Sequence, residues 1–180
     1  MKKRQVILNI ATSLDGFIAK RDGSIDWLNS NDYELPDEDY GLTAFSDSVD
    51  TTLMGNATYK QVLGFDCPFP YHDTTNYVFT RSAAHSDTEY VKFVSGDIAA
   101  FVRQLKEQEG KDIWLIGGGQ INSILVENGL VDRMILTLIP ITLGEGIPLF
   151  DGNPKDTPFE LENTRSYSSG LVQLTLRVKK

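Results

Sequence analysis

Apolar and polar positions alternate between two periods along this chain. Val6 to Thr12 reads as a strand, and Thr51 to Met54, Asn76 to Thr80 and Tyr90 to Val94 read as shorter ones closed by glycine or polar turn residues. Between Asp97 and Gln108 the period changes. Ile98, Phe101, Val102 and Leu105 fall at i, i+3, i+4 and i+7, with Ser95 or Asp97 placed to cap the start and Gly110 just past the end, which predicts a helix. Ile113-Trp114-Leu115-Ile116 is a continuous apolar run, the signature of a strand covered on both faces. A helix over about Gln120 to Glu127 and a strand over Arg133 to Ile139 follow. The tail alternates strictly, Phe159 to Ser166 and Leu171 to Val178 around Ser168-Ser169-Gly170, and predicts a hairpin. Strands separated by helices give a mainly parallel sheet, and the hairpin adds antiparallel strands at one edge. The expected architecture is α/β, a three-layer α/β/α sandwich.

Composition narrows the choice. The 180 residues, 41% of them hydrophobic, suffice for one domain with its own core, and no repeat or linker divides them. Seventeen Lys and Arg against 25 Asp and Glu give a net charge of −8. That balance argues against a general nucleic-acid or membrane-surface binder, so an anionic ligand must be held locally. One cysteine, Cys67, excludes an internal disulfide, and His72 and His85 lack neighbours at metal-ligand spacing. Val6 to Ile10 is too short for a signal peptide and Met134 to Leu143 too short for a membrane span. A cytoplasmic protein without a metal is expected.

Candidate chemistry gathers where strands end. Ile116-Gly117-Gly118-Gly119-Gln120 joins a strand to a helix, and consecutive glycines admit a ligand close to backbone N–H groups at a helix start. The spacing is not the dinucleotide fingerprint, and a plain tight turn is the alternative. Leu53-Met54-Gly55-Asn56-Ala57-Thr58-Tyr59 is a second such junction, where Asn56 and Thr58 could bind an anion or merely cap the helix. Thr80-Arg81-Ser82 is a third, with a guanidinium between two hydroxyls suited to a phosphate monoester. In a parallel sheet the three share the C-terminal edge, where open α/β sheets bind ligands. Asp15-Gly16 and Trp27 lie in a long loop after the first strand, and Asp37, Glu38 and Asp39 fall in the first turn of an expected helix at Leu35 to Tyr40, where the helix dipole alone would explain them.

Taken in order, Ser13-Leu14-Asp15-Gly16-Phe17-Ile18-Ala19, Ile25-Asp26-Trp27-Leu28, Met54-Gly55 with Thr58-Tyr59, Ile116 to Gln120 and Gly144-Glu145-Gly146-Ile147-Pro148-Leu149-Phe150 resemble the dihydrofolate reductase fold. The nearer branch is the reductase domain of bifunctional riboflavin-biosynthesis proteins. The resemblance implies NADPH across the sheet edge, with Gly117 and Gly118, joined by a cis peptide, beside the nicotinamide and pyrophosphate, and with Ile116, Gly119, Gln120 and Ile121 around them. It implies that the helix opened by Gly55 and Asn56, with Thr58, receives the pyrophosphate and that Thr80, Arg81 and Ser82 take the ribose and its 2′-phosphate. Asn56-Ala57 stands where the family usually has a basic residue for that phosphate, so Arg81 would replace it and NADH stays open as a cofactor. Ile18 would line the nicotinamide, and Ala11, Trp27 and Thr137 the substrate ring. Asp15, Glu38 and Asp39 are the candidate acids for proton delivery. The implied activity is hydride transfer to a pyrimidine or pterin, most like that of 5-amino-6-(5-phosphoribosylamino)uracil reductase. Dihydrofolate reductase and a non-catalytic nucleotide-binding module are the alternatives, and a homodimer is expected.

Overall fold

Eight strands lie side by side in the order β5-β4-β3-β6-β1-β7-β10-β9 in the structure, a computed structural model describing residues 3–28, 33, 35–82, 84–152 and 154–179. They are β1 (Val6–Ser13), β3 (Val49–Gly55), β4 (Thr75–Phe79), β5 (Val91–Val94), β6 (Asp112–Gly117), β7 (Arg133–Ile139), β9 (Phe159–Ser166) and β10 (Val172–Val178). From β5 across to β7 every pairing is parallel, while β10 runs antiparallel to β7 and β9 antiparallel to β10. The expected mainly parallel sheet with an antiparallel hairpin at one edge is therefore present. A second, two-stranded sheet pairs β2 (Phe17–Ala19) with β8 (Ile147–Pro148).

The period of two along β1 divides the core. Val6 and Leu8 turn to one face, where they meet Leu53, Ile113 and Leu115 and the buried sides of α3 (Ile98–Lys106) and α4 (Gly119–Glu127). Ile7 turns to the other face, to Phe45 of α1 (Leu42–Ser48), Val49 and Trp114. On that face Tyr59 of α2 (Asn56–Leu63) packs with Met54, Val78 and Val91. Helices thus cover both faces. Removing one such fully buried leucine or isoleucine from water is worth about 1.5–3 kcal/mol. Asp97 caps α3 by accepting the Ala100 N–H at 2.9 Å, as one of the two caps expected there.

Two expectations fail locally. Leu35 to Tyr40 does not begin a helix, because Asp37 and Tyr40 have φ of 63° and 56° and Gly41 has 78°, all in the left-handed region. Helix α1 starts only at Leu42, and Asp37, Glu38 and Asp39 lie in the turns before it. Between Thr80 and β5 the described residues also form no helix. Among the described residues no helix is long and apolar enough to cross a membrane.

Candidate active site

Because β4, β3 and β6 are parallel neighbours, the three glycine and arginine junctions come out on one edge. Gly55 ends β3 and opens α2; Gly118 follows β6 and opens α4; neither helix start carries a side-chain cap, in contrast to Asp97 on α3. Their first N–H groups remain available to an anion. A methyl group on Gly55 would stand 3.3 Å from Cγ1 of Ile121 and 3.9 Å from the Gly117 carbonyl oxygen, so the two helix starts are in contact. The Gly117–Gly118 peptide is cis. A methyl on Gly118 would lie 3.3 Å from Oγ1 of Thr58 and 4.0 Å from Cδ1 of Ile18, which brings α2, β2 and the glycine turn around one point. Arg81 Nη2 donates to Oε1 of Gln120 at 2.9 Å, extending this surface to the end of β4. Thr80 and Ser82 are occupied locally: the Thr80 hydroxyl accepts the Ser82 N–H at 3.2 Å and the Ser82 hydroxyl accepts that of Ala84 at 3.2 Å. Ile116 points away, into the cluster around Met54 and Tyr59.

The glycine turn is held from behind by a residue that the sequence pattern does not single out. Asn122, fully buried, donates through Nδ2 to the Leu149 carbonyl at 2.9 Å, while a methyl on Gly117 would stand 3.2 Å from its Oδ1. Gly119 packs still closer to that segment, where a methyl would come within 2.4 Å of the Pro148 carbonyl oxygen. The late Gly144 to Phe150 stretch is therefore the outer wall of the turn, also tied by Leu149 N–H to the Gly16 carbonyl at 2.8 Å.

On the other side of β1 the wall is aromatic. Ala11 pairs with Thr137 and Thr137 with Gln173, a row of three residues on one face. Gln173 Nε2 donates to the Thr137 hydroxyl at 3.3 Å and to the Tyr40 carbonyl at 3.2 Å, so Tyr40 is strapped over the row. Trp27, in a 3-10 turn at Asp26–Leu28, packs with Ile139 and Leu171, and Ala11, Tyr33, Tyr40 and Tyr167 are among the residues packed against them. Tyr40, Tyr167 and Gln173 are additions to the candidates, since their spacing carries no motif.

Of the acids, Asp15 fastens a loop. Its carboxylate accepts the Ser13 hydroxyl at 2.6 Å and the N–H groups of Leu143 and Gly144 at 3.1 and 2.7 Å. The Ser13 hydroxyl above all, then those amides, hold its carboxyl below the ordinary aspartate value. Asp39 accepts the N–H groups of Gly41 and Thr43 at 2.8 and 3.0 Å, and the Thr43 side chain followed by these amides likewise lowers it. Glu38, exposed, accepts the Tyr40 N–H at 2.8 Å. Among the described residues no three His, Cys, Asp or Glu side chains gather as a metal ion would need.

This arrangement has counterparts. The RibD C-terminal domain family matches residues 4–173, nearly the whole chain. The chain belongs to that family. The uncharacterized protein YwjB of Bacillus subtilis is 40% identical over 172 residues that cover 96% of this chain and 97% of that one. A solved putative riboflavin biosynthesis protein from Shewanella sp. PV-4 superposes with a TM-score of 0.86 at 33% identity, over 98% of this chain and 99% of the other. Two more distant structures share the fold. A deaminase/5-amino-6-(5-phosphoribosylamino)uracil reductase from Thermotoga maritima matches with a TM-score of 0.72 at 17% identity, over 98% of this chain and 57% of its own. A dihydrofolate reductase from Enterococcus faecalis, complexed with NADP(H), matches with a TM-score of 0.67 at 17% identity, over 98% and 97%. The α/β/α sandwich is thus a dihydrofolate reductase-like fold.

Proposed function

We propose that the protein is an NADPH-dependent reductase whose substrate is a phosphoribosylated aminopyrimidine, as for 5-amino-6-(5-phosphoribosylamino)uracil reductase. The observation that carries this reading is the meeting of two uncapped helix starts, at Gly55 and Gly118, with the Arg81–Gln120 pair on one sheet edge. Paired backbone N–H groups and helix dipoles suit a pyrophosphate, and a guanidinium suits a phosphate monoester. The donor set fits a dinucleotide phosphate, and the bare Gly118 surface between Thr58 and Ile18 leaves backbone exposed for close approach. When bound, the nicotinamide supplies hydride; the protein contributes orientation, exclusion of water and a proton.

In this reading Gly55, Asn56, Thr58 and Gly117 to Ile121 embrace the pyrophosphate and nicotinamide end, and Thr80, Arg81 and Ser82 the 2′-phosphate. Ala11, Trp27 and Thr137 line the substrate ring. Asp15 and Asp39, held ionised by their donors, act as loop clamps at neutral pH, and Glu38 is the carboxyl assigned to proton delivery. With such a substrate and cofactor, the enzyme is proposed to work in the cytoplasm. A homodimer is proposed through the outer hairpin, where Leu161 on the edge strand β9 is 59% exposed beside the apolar side of β10.

The test is turnover with NADPH and with NADH, on 5-amino-6-(5-phosphoribosylamino)uracil and on dihydrofolate. Oxidation of NADPH by the pyrimidine supports the reading. Oxidation by dihydrofolate alone replaces the substrate, and saturable NADPH binding without turnover on either replaces the enzyme by a binding module. Monomeric mass in sedimentation refutes the dimer.

A further inference from the structure

We propose that Asn122 of α4 is a positioning residue for the cofactor: it fixes the outer wall, residues 147–151, against the glycine turn, and through that wall sets where Ile18 stands over Gly118; the inference rests on the reductase reading above. Asn122 is an unusual residue for its place. It is fully buried on a helix that turns Ile121, Leu125 and Val126 into the core, and its Oδ1 has no hydrogen-bond partner. An amide buried half unpaired is destabilising, and an aliphatic side chain would fill the space without that penalty. The other half of the amide is used, since Nδ2 donates to the Leu149 carbonyl at 2.9 Å.

The contrast with Asn76, the other fully buried asparagine among the described residues, shows what that bond is for. Asn76 is saturated: Nδ2 donates to the carbonyls of Tyr71, Thr74 and Tyr90, and Oδ1 accepts from the hydroxyls of Thr52 and Thr74. It lies near the start of β4, at the opposite end of the sheet from the glycine turn, where it ties loops together. Asn122 makes a single bond, and that bond runs to the wall.

The wall joins two parts of the site. On its inner side the Asp151 N–H donates to the Gly119 carbonyl at 3.2 Å, and a methyl on Gly119 would meet Cβ and N of Asp151 at 3.2 and 3.3 Å. On its outer side the Leu149 N–H donates to the Gly16 carbonyl at 2.8 Å, and β8 pairs with β2, Phe17 opposite Pro148 and Ala19 opposite Ile147. Strands of three and two residues do not hold themselves in place. The Phe17 N–H is tied to the Ser13 hydroxyl at 3.0 Å, but Ile18 and Ala19 beyond it follow the wall. Ile18 Cδ1 and Thr58 Oγ1 would stand 4.0 and 3.3 Å from a methyl on Gly118, so a shift of the wall moves Ile18 across the surface that the nicotinamide end must approach. A methyl on Gly117 would in turn stand 3.2 Å from Asn122 Oδ1. One planar amide thus touches the turn with its oxygen and the wall with its nitrogen, and sets the distance between them.

Asn122→Ala and Asn122→Leu both remove the donor while changing side-chain volume in opposite directions. The full-length variants are to be compared with the wild type and with Leu125→Ala, which lowers stability from the same helix without removing a hydrogen bond. The expected result is an NADPH dissociation constant raised about 5- to 30-fold in both Asn122 variants, the size of re-ordering one backbone residue on binding. KM for NADPH should rise by the same factor with kcat changed less than about 3-fold, because saturating cofactor restores the wall, and Leu125→Ala should leave NADPH affinity within about 2-fold. Unchanged NADPH affinity in both Asn122 variants overturns the proposal. An equal loss in Leu125→Ala, or opposite shifts in the two Asn122 variants, also overturns it, since stability or volume would then be the cause. A second measurement needs no variant: in nuclear magnetic resonance of the wild type, NADPH should shift the side-chain amide signals of Asn122 and leave those of Asn76 in place, and unmoved Asn122 signals overturn the proposal. If the wild type binds no NADPH, the reductase reading fails separately, and amide exchange decides the part of Asn122. Leu149 and Asp151 exchanging faster in both Asn122 variants, relative to the amides of β1, sustain its hold on the wall; unchanged exchange overturns it.

Discussion

Gly118→Ala and Gly119→Ala, one residue apart, should separate binding from folding. At Gly118 φ is −73°, which alanine adopts freely, and the new methyl meets the Thr58 hydroxyl oxygen at 3.3 Å and Ile18 at 4.0 Å. A side chain that shifts by a few tenths of an ångström accommodates it, at a cost of about 1 kcal/mol or less. At Gly119 the methyl would stand 2.4 Å from the Pro148 carbonyl oxygen and 3.2 and 3.3 Å from Cβ and N of Asp151, so backbone has to move. Overpacking of that kind costs about 1–3 kcal/mol, and for a chain of this length each kcal/mol lowers the melting midpoint by about 2–4 °C. Gly119→Ala is therefore expected to melt about 2–12 °C early, Gly118→Ala within about 4 °C of the wild type. Binding should rank the other way. The Gly118 methyl occupies the surface that the cofactor must approach, and a clash of about 1–3 kcal/mol there weakens NADPH about 5- to 150-fold. Circular dichroism melts and tryptophan-quenching titrations read the two effects. NADPH bound by Gly118→Ala with wild-type affinity, or a midpoint loss as large as that of Gly119→Ala, refutes the reasoning.

Three further outcomes are expected. Arg81→Ala should weaken NADPH about 10- to 100-fold and leave NADH affinity unchanged in the same titration, the loss of one charged hydrogen-bonding partner of the 2′-phosphate. Asp15 titrates below its ordinary value when folded, so its hold on the 143–144 loop is complete above about pH 4 and is lost as pH falls through the lower folded value. Amide exchange at Leu143 and Gly144 should thus stay slow at pH 5 and accelerate at neutral pH only in Asp15→Asn; acceleration in the wild type between pH 6 and 5 would contradict this. Leu125→Ala, at a fully buried position of α4, should cost about 2–5 kcal/mol in urea unfolding.

The parts of this fold that were legible in the sequence are those with long, regular periods. Ile98, Phe101, Val102 and Leu105 all turn inward or against the core on α3, and Arg133–Ile139 and Phe159–Ser166 are strands with the expected bounds. The Leu35 to Tyr40 stretch misled because its acidic residues satisfy a helix start equally well as a chain of turns, and only the left-handed backbone at Asp37 and Tyr40 decides between them. β2 and β8 were not expected, being three and two residues long and formed only once β1 and the 147–148 stretch meet. The site divides similarly. Gly55, Gly117, Gly118 and Arg81 announce themselves through residue type at strand ends, whereas Asn122, Gln173, Tyr40 and Tyr167 matter through tertiary neighbours that no local pattern encodes.

The central position of β1 has a consequence for how the molecule is made. Its partners β6 and β7 both lie more than a hundred residues downstream of it. A ribosome that has delivered the first hundred residues has delivered a sheet without its middle, with Val6, Ile7 and Leu8 still waiting for a surface to bury against. Closing so long a loop is entropically slow, and the waiting strand is an apolar edge. Most of the native contacts of β1 must therefore form late and together, so refolding should be slow and concentration-sensitive, with chaperone dependence traceable to one N-terminal strand.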